Sequence, residues 1–186
     1  MPTKHVYQMR YWSKEEERPW IDFEVPQNGS DVPWLHYGKV LSGEAPAHEY
    51  SPVHLVSDDP STSRWHSYNV AGTHGMLSKT AIDLIGPYMT QCFEFLEAWI
   101  NELPFYLLRR IGSIDCLDRR NSVVVTYPHD PSRIMKIKHF RFFMDSISDP
   151  MVFVIPETKG GLLATDSIKQ IVEKAKLKGL YFSDTE

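Results

Sequence analysis

The segment that most narrows the fold lies near the C-terminus, where Ile168, Ile171, Val172 and Ala175 recur at i, i+3, i+4 and i+7, with Lys169, Glu173 and Lys176 between them. That spacing puts the apolar side chains on one stripe of a helix and the charges on the opposite face. The stripe must be buried, and the flanking chain offers a surface: Leu162-Leu163-Ala164-Thr165 before it and Leu180-Tyr181-Phe182 after it read as strands. Ser167 and Gln170 are predicted to form a capping box, Lys174, Lys176 and Lys178 suit the negative end of the helix dipole, and Gly179 is predicted to stop the helix. A single amphipathic helix between strands predicts an α+β fold, with a mostly antiparallel sheet, a few short helices and the C-terminal helix packed on the sheet.

Other segments fit that class. His5 to Trp12 is rich in strand formers, and Val123-Val124-Val125-Thr126-Tyr127 is a β-branched run ended by Pro128-His129-Asp130-Pro131. Ile134-Met135-Lys136-Ile137-Lys138-His139-Phe140 alternates apolar and basic residues, as a half-buried strand does. Met151 to Ile155 is wholly apolar and predicts a buried strand. Met76 to Ile85 predicts a short helix capped by Ser78 and stopped by Gly86-Pro87. Cys92, Phe93, Leu96, Trp99, Ile100 and Leu103 fall at helical spacing, yet the run is also Phe- and Trp-rich and ends in a turn through Asn101 to Pro104. Periodicity leaves helix and hairpin both open there.

Residues 20 to 64 are loop-rich, with turns at Val25-Pro26-Gln27-Asn28-Gly29-Ser30, Ala45-Pro46 and Asp58-Asp59-Pro60-Ser61. Short strands are expected from Trp34 to Val40 and from Val53 to Val56. The expected organisation is a loop-rich, β-containing region over 1–75 and an α+β region over 76–186, forming one compact unit.

Composition excludes some functions. Hydrophobic residues make up 42% of the chain, enough for a core, and the mean hydropathy of -0.34 is that of a soluble protein. No stretch approaches the roughly 20 apolar residues a membrane helix needs. Met1-Pro2-Thr3-Lys4-His5 lacks the apolar run of a signal peptide, so a cytoplasmic location is expected. A formal charge of -4 and a pI near 6.1 argue against nucleic acid as main partner and fit a basic protein partner weakly. Cys92 and Cys116 are far apart in apolar surroundings and belong to no CxxC pair, so buried free thiols are expected.

Residues that could carry chemistry have simpler readings. Asp115 and Asp118 flank Cys116-Leu117 and could serve a metal-dependent hydrolase with nearby histidines. As turn residues they need no third party, because Asp accepts backbone N–H bonds locally. The eight histidines form no HxH or HExxH. Gly72-Thr73-His74-Gly75 and Lys159-Gly160-Gly161 match no phosphate loop and read as turns. No catalytic residue, cofactor or metal is therefore expected. Trp34, His36, Tyr37, Trp65, His66 and Tyr68 form two aromatic–polar clusters that either anchor an irregular region or make a recognition surface with Asp58 and Asp59.

Residues 93 to 182 resemble a polymorphic-toxin immunity family, once catalogued as a domain of unknown function and now called immunity protein family eleven. Four features carry the resemblance, in order. They are a strand pair at Phe93 to Ile100 and Phe105 to Ile111, the Asp115-Cys116-Leu117-Asp118 turn with Ser122, the Ile134 to Phe142 strand preceded by Arg133, and the Leu162 to Thr165 strand with the helix and Gly179-Leu180-Tyr181-Phe182 ending. Thr165-Asp166 stands where the family usually has a Ser-led helix start, and the first 75 or so residues match nothing in it. The resemblance favours the hairpin at Phe93 to Ile111. It implies a cytoplasmic protein that neutralises a cognate toxin by stoichiometric occlusion, with Asp115, Asp118, Ser122 and Gly179 in structural roles. An adaptor within a larger assembly is the other non-enzymatic alternative, and homo-oligomerisation stays open.

Overall fold

The computed structural model describes residues 5–11, 39–50, 52–55, 64, 66–70, 74–158 and 161–185. Its strands are β1 (Val6–Arg10), β2 (Val53–Leu55), β3 (Ser67–Val70), β4 (His74–Ser78), β5 (Phe93–Ile100), β6 (Leu103–Arg110), β7 (Val123–Tyr127), β8 (Asp130–His139), β9 (Val152–Phe153), β10 (Leu162–Thr165) and β11 (Tyr181–Asp184). The helices α1 (Lys79–Ile85) and α2 (Asp166–Ala175) accompany them. The fold is α+β, as the strand–helix–strand pattern predicts.

A four-stranded sheet runs in the order β11-β1-β10-β9, and every pairing in it is antiparallel. A five-stranded sheet runs β2-β5-β6-β4-β3, antiparallel except for the parallel β2–β5 pair. β7 and β8 form a separate two-stranded sheet. β1 lies between two C-terminal strands, pairing Met9 with Leu162 and Arg10 with Tyr181. The expected boundary near residue 75 falls within β4, so both expected regions contribute to both larger sheets.

The five-stranded sheet is covered on both faces. Phe93 of β5, Leu77 of β4 and Leu108 of β6 enter a core shared with Val6, Met9, Leu163, Ile168 and Val172. Leu96, Ala98, Ile100, Met76, Phe105 and Leu107 enter a second core with Val40, Leu41, Val53 and Leu55. Each fully buried aliphatic or aromatic side chain contributes about 1.5–3 kcal/mol. This two-sided burial settles the ambiguous Cys92 to Leu103 run as a hairpin, whose turn residues Asn101 and Glu102 both have positive φ, 47° and 64°.

Five local expectations need correction. Met76 and Leu77 belong to β4, where they pair with Leu107 and Tyr106, and the helix begins only after Ser78. Ser78 does cap it, its Oγ accepting from the Ala81 N–H at 3.2 Å. The Ser167–Gln170 capping box is not formed: the N-cap is Thr165, whose hydroxyl accepts from the Met151 N–H at 3.1 Å instead of capping. Gln170 donates to the Asp166 carboxylate. Gly179 does not stop α2, because Lys176 already takes the left-handed conformation at φ 54°. Gly179, at φ 90°, makes a later bend before β11 and accepts the Ser67 hydroxyl at 2.6 Å. Lys39 and Val40, expected in a strand, lie in a helical turn at 39–42 that buries Val40 and Leu41. His74 and Gly75 likewise lie in β4 and not in a glycine turn. Among the described residues no helix is long and apolar enough to cross a membrane.

Candidate functional site

The residues nominated for recognition are scattered in outcome. Trp34, His36, Tyr37, Asp58, Asp59 and Trp65 lie outside the described residues. Tyr68 sits on β3 opposite Met76 of β4. His66 is half-buried; its N–H donates to the Lys178 carbonyl at 2.9 Å, and its Nδ1 lies 3.0 Å from the Ser78 hydroxyl. Burial and then the nearby Lys178 charge depress its pKa below the usual histidine value. His66 therefore fastens the β3–β4 hairpin to the segment after α2. His54 stacks on Trp99 with ring centroids 4.7 Å apart.

Asp118 is occupied within its own turn. Its carboxylate accepts from the backbone N–H groups of Arg120 at 3.1 Å and Asn121 at 3.2 Å, and from the Asn121 side-chain amide at 2.6 Å. These bonds, led by that of the Asn121 side chain, hold the carboxyl below the ordinary aspartate range. Ser122 then ties the turn to the chain after β8: its hydroxyl accepts from the Arg141 N–H at 2.9 Å, and Asp118 N–H donates to the Arg141 carbonyl at 2.8 Å. Asp115 is exposed beside this turn. Among the described residues no three His, Cys, Asp or Glu side chains converge as a metal site. Cys92 and Cys116 are both free and buried, and burial foremost pushes the Cys116 thiol up to about 12.

The concavity lies elsewhere. A groove of about 1090 Å³ is bordered by Gln8–Tyr11 of β1 and its continuation, Leu162 and Leu163 of β10, Ser132–Lys138 of β8 and the 156–158 loop. Five cations line it, Arg10, Arg119, Arg133, Lys136 and Lys138, against the carboxylates of Glu157 and Asp184. Arg119 is spoken for: its guanidinium donates to Glu157 Oε1 at 2.8 and 2.7 Å. The Glu157 side chain is only 3% exposed, and its Oε2 has no hydrogen-bond partner. Arg133 lies over the Tyr127 ring at 5.3 Å, a cation–π contact that holds the guanidinium at the groove wall. Lys136 and Lys138 are exposed and have no ion-pair partner among the described residues.

Tyr11 also lines the groove. Its phenol is buried although the residue as a whole is half-exposed, and burial raises its pKa well above the tyrosine norm. The ring fits because position 75 has no side chain: a Cβ there would sit 1.9 Å from Tyr11 Cζ and Oη. Sequence reasoning puts recognition in the N-terminal aromatic clusters and no recognition residue in this groove. The signal was the basic–apolar alternation from Ile134, which read as a strand pattern alone.

The groove offers guanidinium, ammonium, phenol and apolar surface. These groups suit recognition of an anionic surface by charge and shape. Comparison with protein-family models and with curated proteins finds no match to this chain.

Proposed function

We propose that this chain is an immunity protein, which binds a cognate bacterial toxin domain stoichiometrically in the cytoplasm and neutralises it by occlusion. The observation that carries the reading is the groove beside β8, a large open concavity whose lysines, without an ion-pair partner among the described residues, and exposed Met135 offer a protein partner both charge and apolar contact. The quoted resemblance supports the same role: its four features correspond to the β5–β6 hairpin, the Asp118 turn, β8 and the β10–α2–β11 unit. A neutralising complex of this kind buries about 1,600 Å² in total, so a groove and its rim are the expected contact, with no catalytic group needed.

The test is an affinity purification of the tagged protein from its native cells, followed by mass spectrometry and a toxicity assay of what co-purifies. A one-to-one partner whose isolated domain arrests growth, and is relieved by this chain, supports the reading. A stoichiometric partner with no toxic activity refutes it and favours the adaptor alternative.

A further inference from the structure

The groove's charge runs against the charge of the whole chain, and its shape follows one strand. The chain carries -4 overall, which on bulk charge alone suits a basic partner. The groove has five cations and two carboxylates, and one of the carboxylates is already held by Arg119. Seven consecutive residues of β8, Ser132 to Lys138, border it. One face of a regular strand supplies only every second side chain. β8 departs from that rule because it is bulged, with register shifts between Val123 and Val124 and between Val125 and Tyr127 of its partner. β7 pairs with one edge of β8; among the described residues no strand pairs with the other.

We propose that the groove seats an acidic, extended segment of a protein partner along the side of β8 opposite β7, with its carboxylates on Lys136, Lys138 and Arg133. An extended segment meets a strand edge through backbone hydrogen bonds, and side chains at alternate positions set its specificity. Lys136 and Lys138 supply mobile ammonium groups, while Arg133, held over Tyr127, presents a fixed guanidinium fork. Met135, 52% exposed and between Arg133 and Lys136 in sequence, gives the segment an apolar contact. Nucleic acid is disfavoured, because a long polyanion must also approach Asp184, Glu157 and a chain of net negative charge. This inference deepens the proposed function and rests on its binding reading, but it names the chemistry of the partner.

Charged side chains on a free edge also stop strands from pairing with copies of themselves. Charge reversal separates the two roles, since Lys136→Glu/Lys138→Glu keeps the edge charged and only inverts its sign. The probe is a fluorescein-labelled heptaglutamate peptide, followed by polarisation, with heptalysine, inorganic phosphate and a thymidine oligonucleotide as comparisons. The wild-type chain is expected to bind heptaglutamate in preference to the other three, with backbone amide shifts confined to the groove. The double variant, at unchanged melting temperature, is expected to bind it about tenfold or more weakly. Equal binding by both proteins overturns the proposal. So does displacement of the peptide by phosphate at equal charge concentration, or tighter binding of the oligonucleotide. The same variant separates the two claims in cells. Undiminished capture of a toxin by the double variant removes the groove proposal and leaves the immunity role. Charge-dependent capture of a partner with no toxic activity does the reverse.

Discussion

Replacing Gly75 by alanine tests how Tyr11 is seated at the groove. The added Cβ would lie 1.9 Å from Tyr11 Cζ and Oη, and 2.4 Å from Cε2. Ordinary contact needs about 3.4 Å, so the ring or the strand must shift by roughly 1.5 Å, an overpacking that costs about 1–3 kcal/mol. The backbone beside Tyr11 is held through Arg10, in register with Tyr181 of β11, so relief must come from the Tyr11 ring turning out of its site or from a shift of β4. For a chain of 186 residues that cost lowers the melting temperature by roughly 2–12 °C. The diagnostic step is the background. In a Tyr11→Ala protein the obstructing ring is gone, and Gly75 has no positive φ, so alanine there suits the backbone. Gly75→Ala should then be neutral or stabilise by about 0.4–1 kcal/mol, through a less flexible unfolded chain. Thermal and urea unfolding of the four proteins in this double-mutant cycle give the coupling directly. Equal destabilisation by Gly75→Ala in both backgrounds would refute the steric argument.

Three further outcomes are expected. His66 has a depressed pKa in the fold, so the unfolded chain binds more protons; stability is full above the unfolded value near 6.5 and falls as the pH drops below it. His66→Gln should flatten that slope, and an unchanged pH–stability profile would contradict it. Asp115→Asn/Asp118→Asn should lower the melting temperature, because the carboxylate that gathers Arg120 and Asn121 is lost; a variant of unchanged melting temperature that loses partner capture would show instead that the pair belongs to the binding site. Burial and their raised pKa values should protect Cys92 and Cys116 from iodoacetamide at pH 7.5 until urea unfolds the chain; rapid native-state labelling seen by mass spectrometry would place a thiol at the surface.

The parts of the fold legible in the sequence are those with one buried face. α2 stands against β10 and α1 with a single stripe inward, so Ile168 and Val172 announced it. β5 and β6 have a core on each side, which erases alternation and lets Cys92 to Leu103 mimic a helix. The expected turn, Asn101 to Pro104, overruns the observed one by two residues, because Asn101-Glu102 lacks the glycine that usually marks two left-handed residues in succession. Helix ends were misjudged where tertiary bonds took over: Thr165 spends its hydroxyl on Met151, and Ser67 claims the Gly179 carbonyl. The groove was out of reach for another reason. Arg10, Arg119, Lys136, Glu157 and Asp184 come from five separate stretches, and the tertiary fold, with β1 inserted between β10 and β11, brings them to one concavity.

That insertion also explains why the bulk charge misdirects. Summed over the chain, the balance is -4, but charges more than about 8 Å apart are largely screened from one another at physiological salt. A docking segment therefore feels the cations within one groove, not the total. Among the described residues Lys136 and Lys138 have no ion-pair partner, so their charge is available to an incoming group, whereas Arg119 is already neutralised by Glu157. The division is physically apt for a site that must stay folded while empty. The buried carboxylate keeps its guanidinium whether or not a partner is present, and the exposed ammonium groups lose little by waiting in water. On the docking proposal, affinity is set by two lysines and a strand edge, while the Arg119–Glu157 pair serves the fold, so each can be altered without the other.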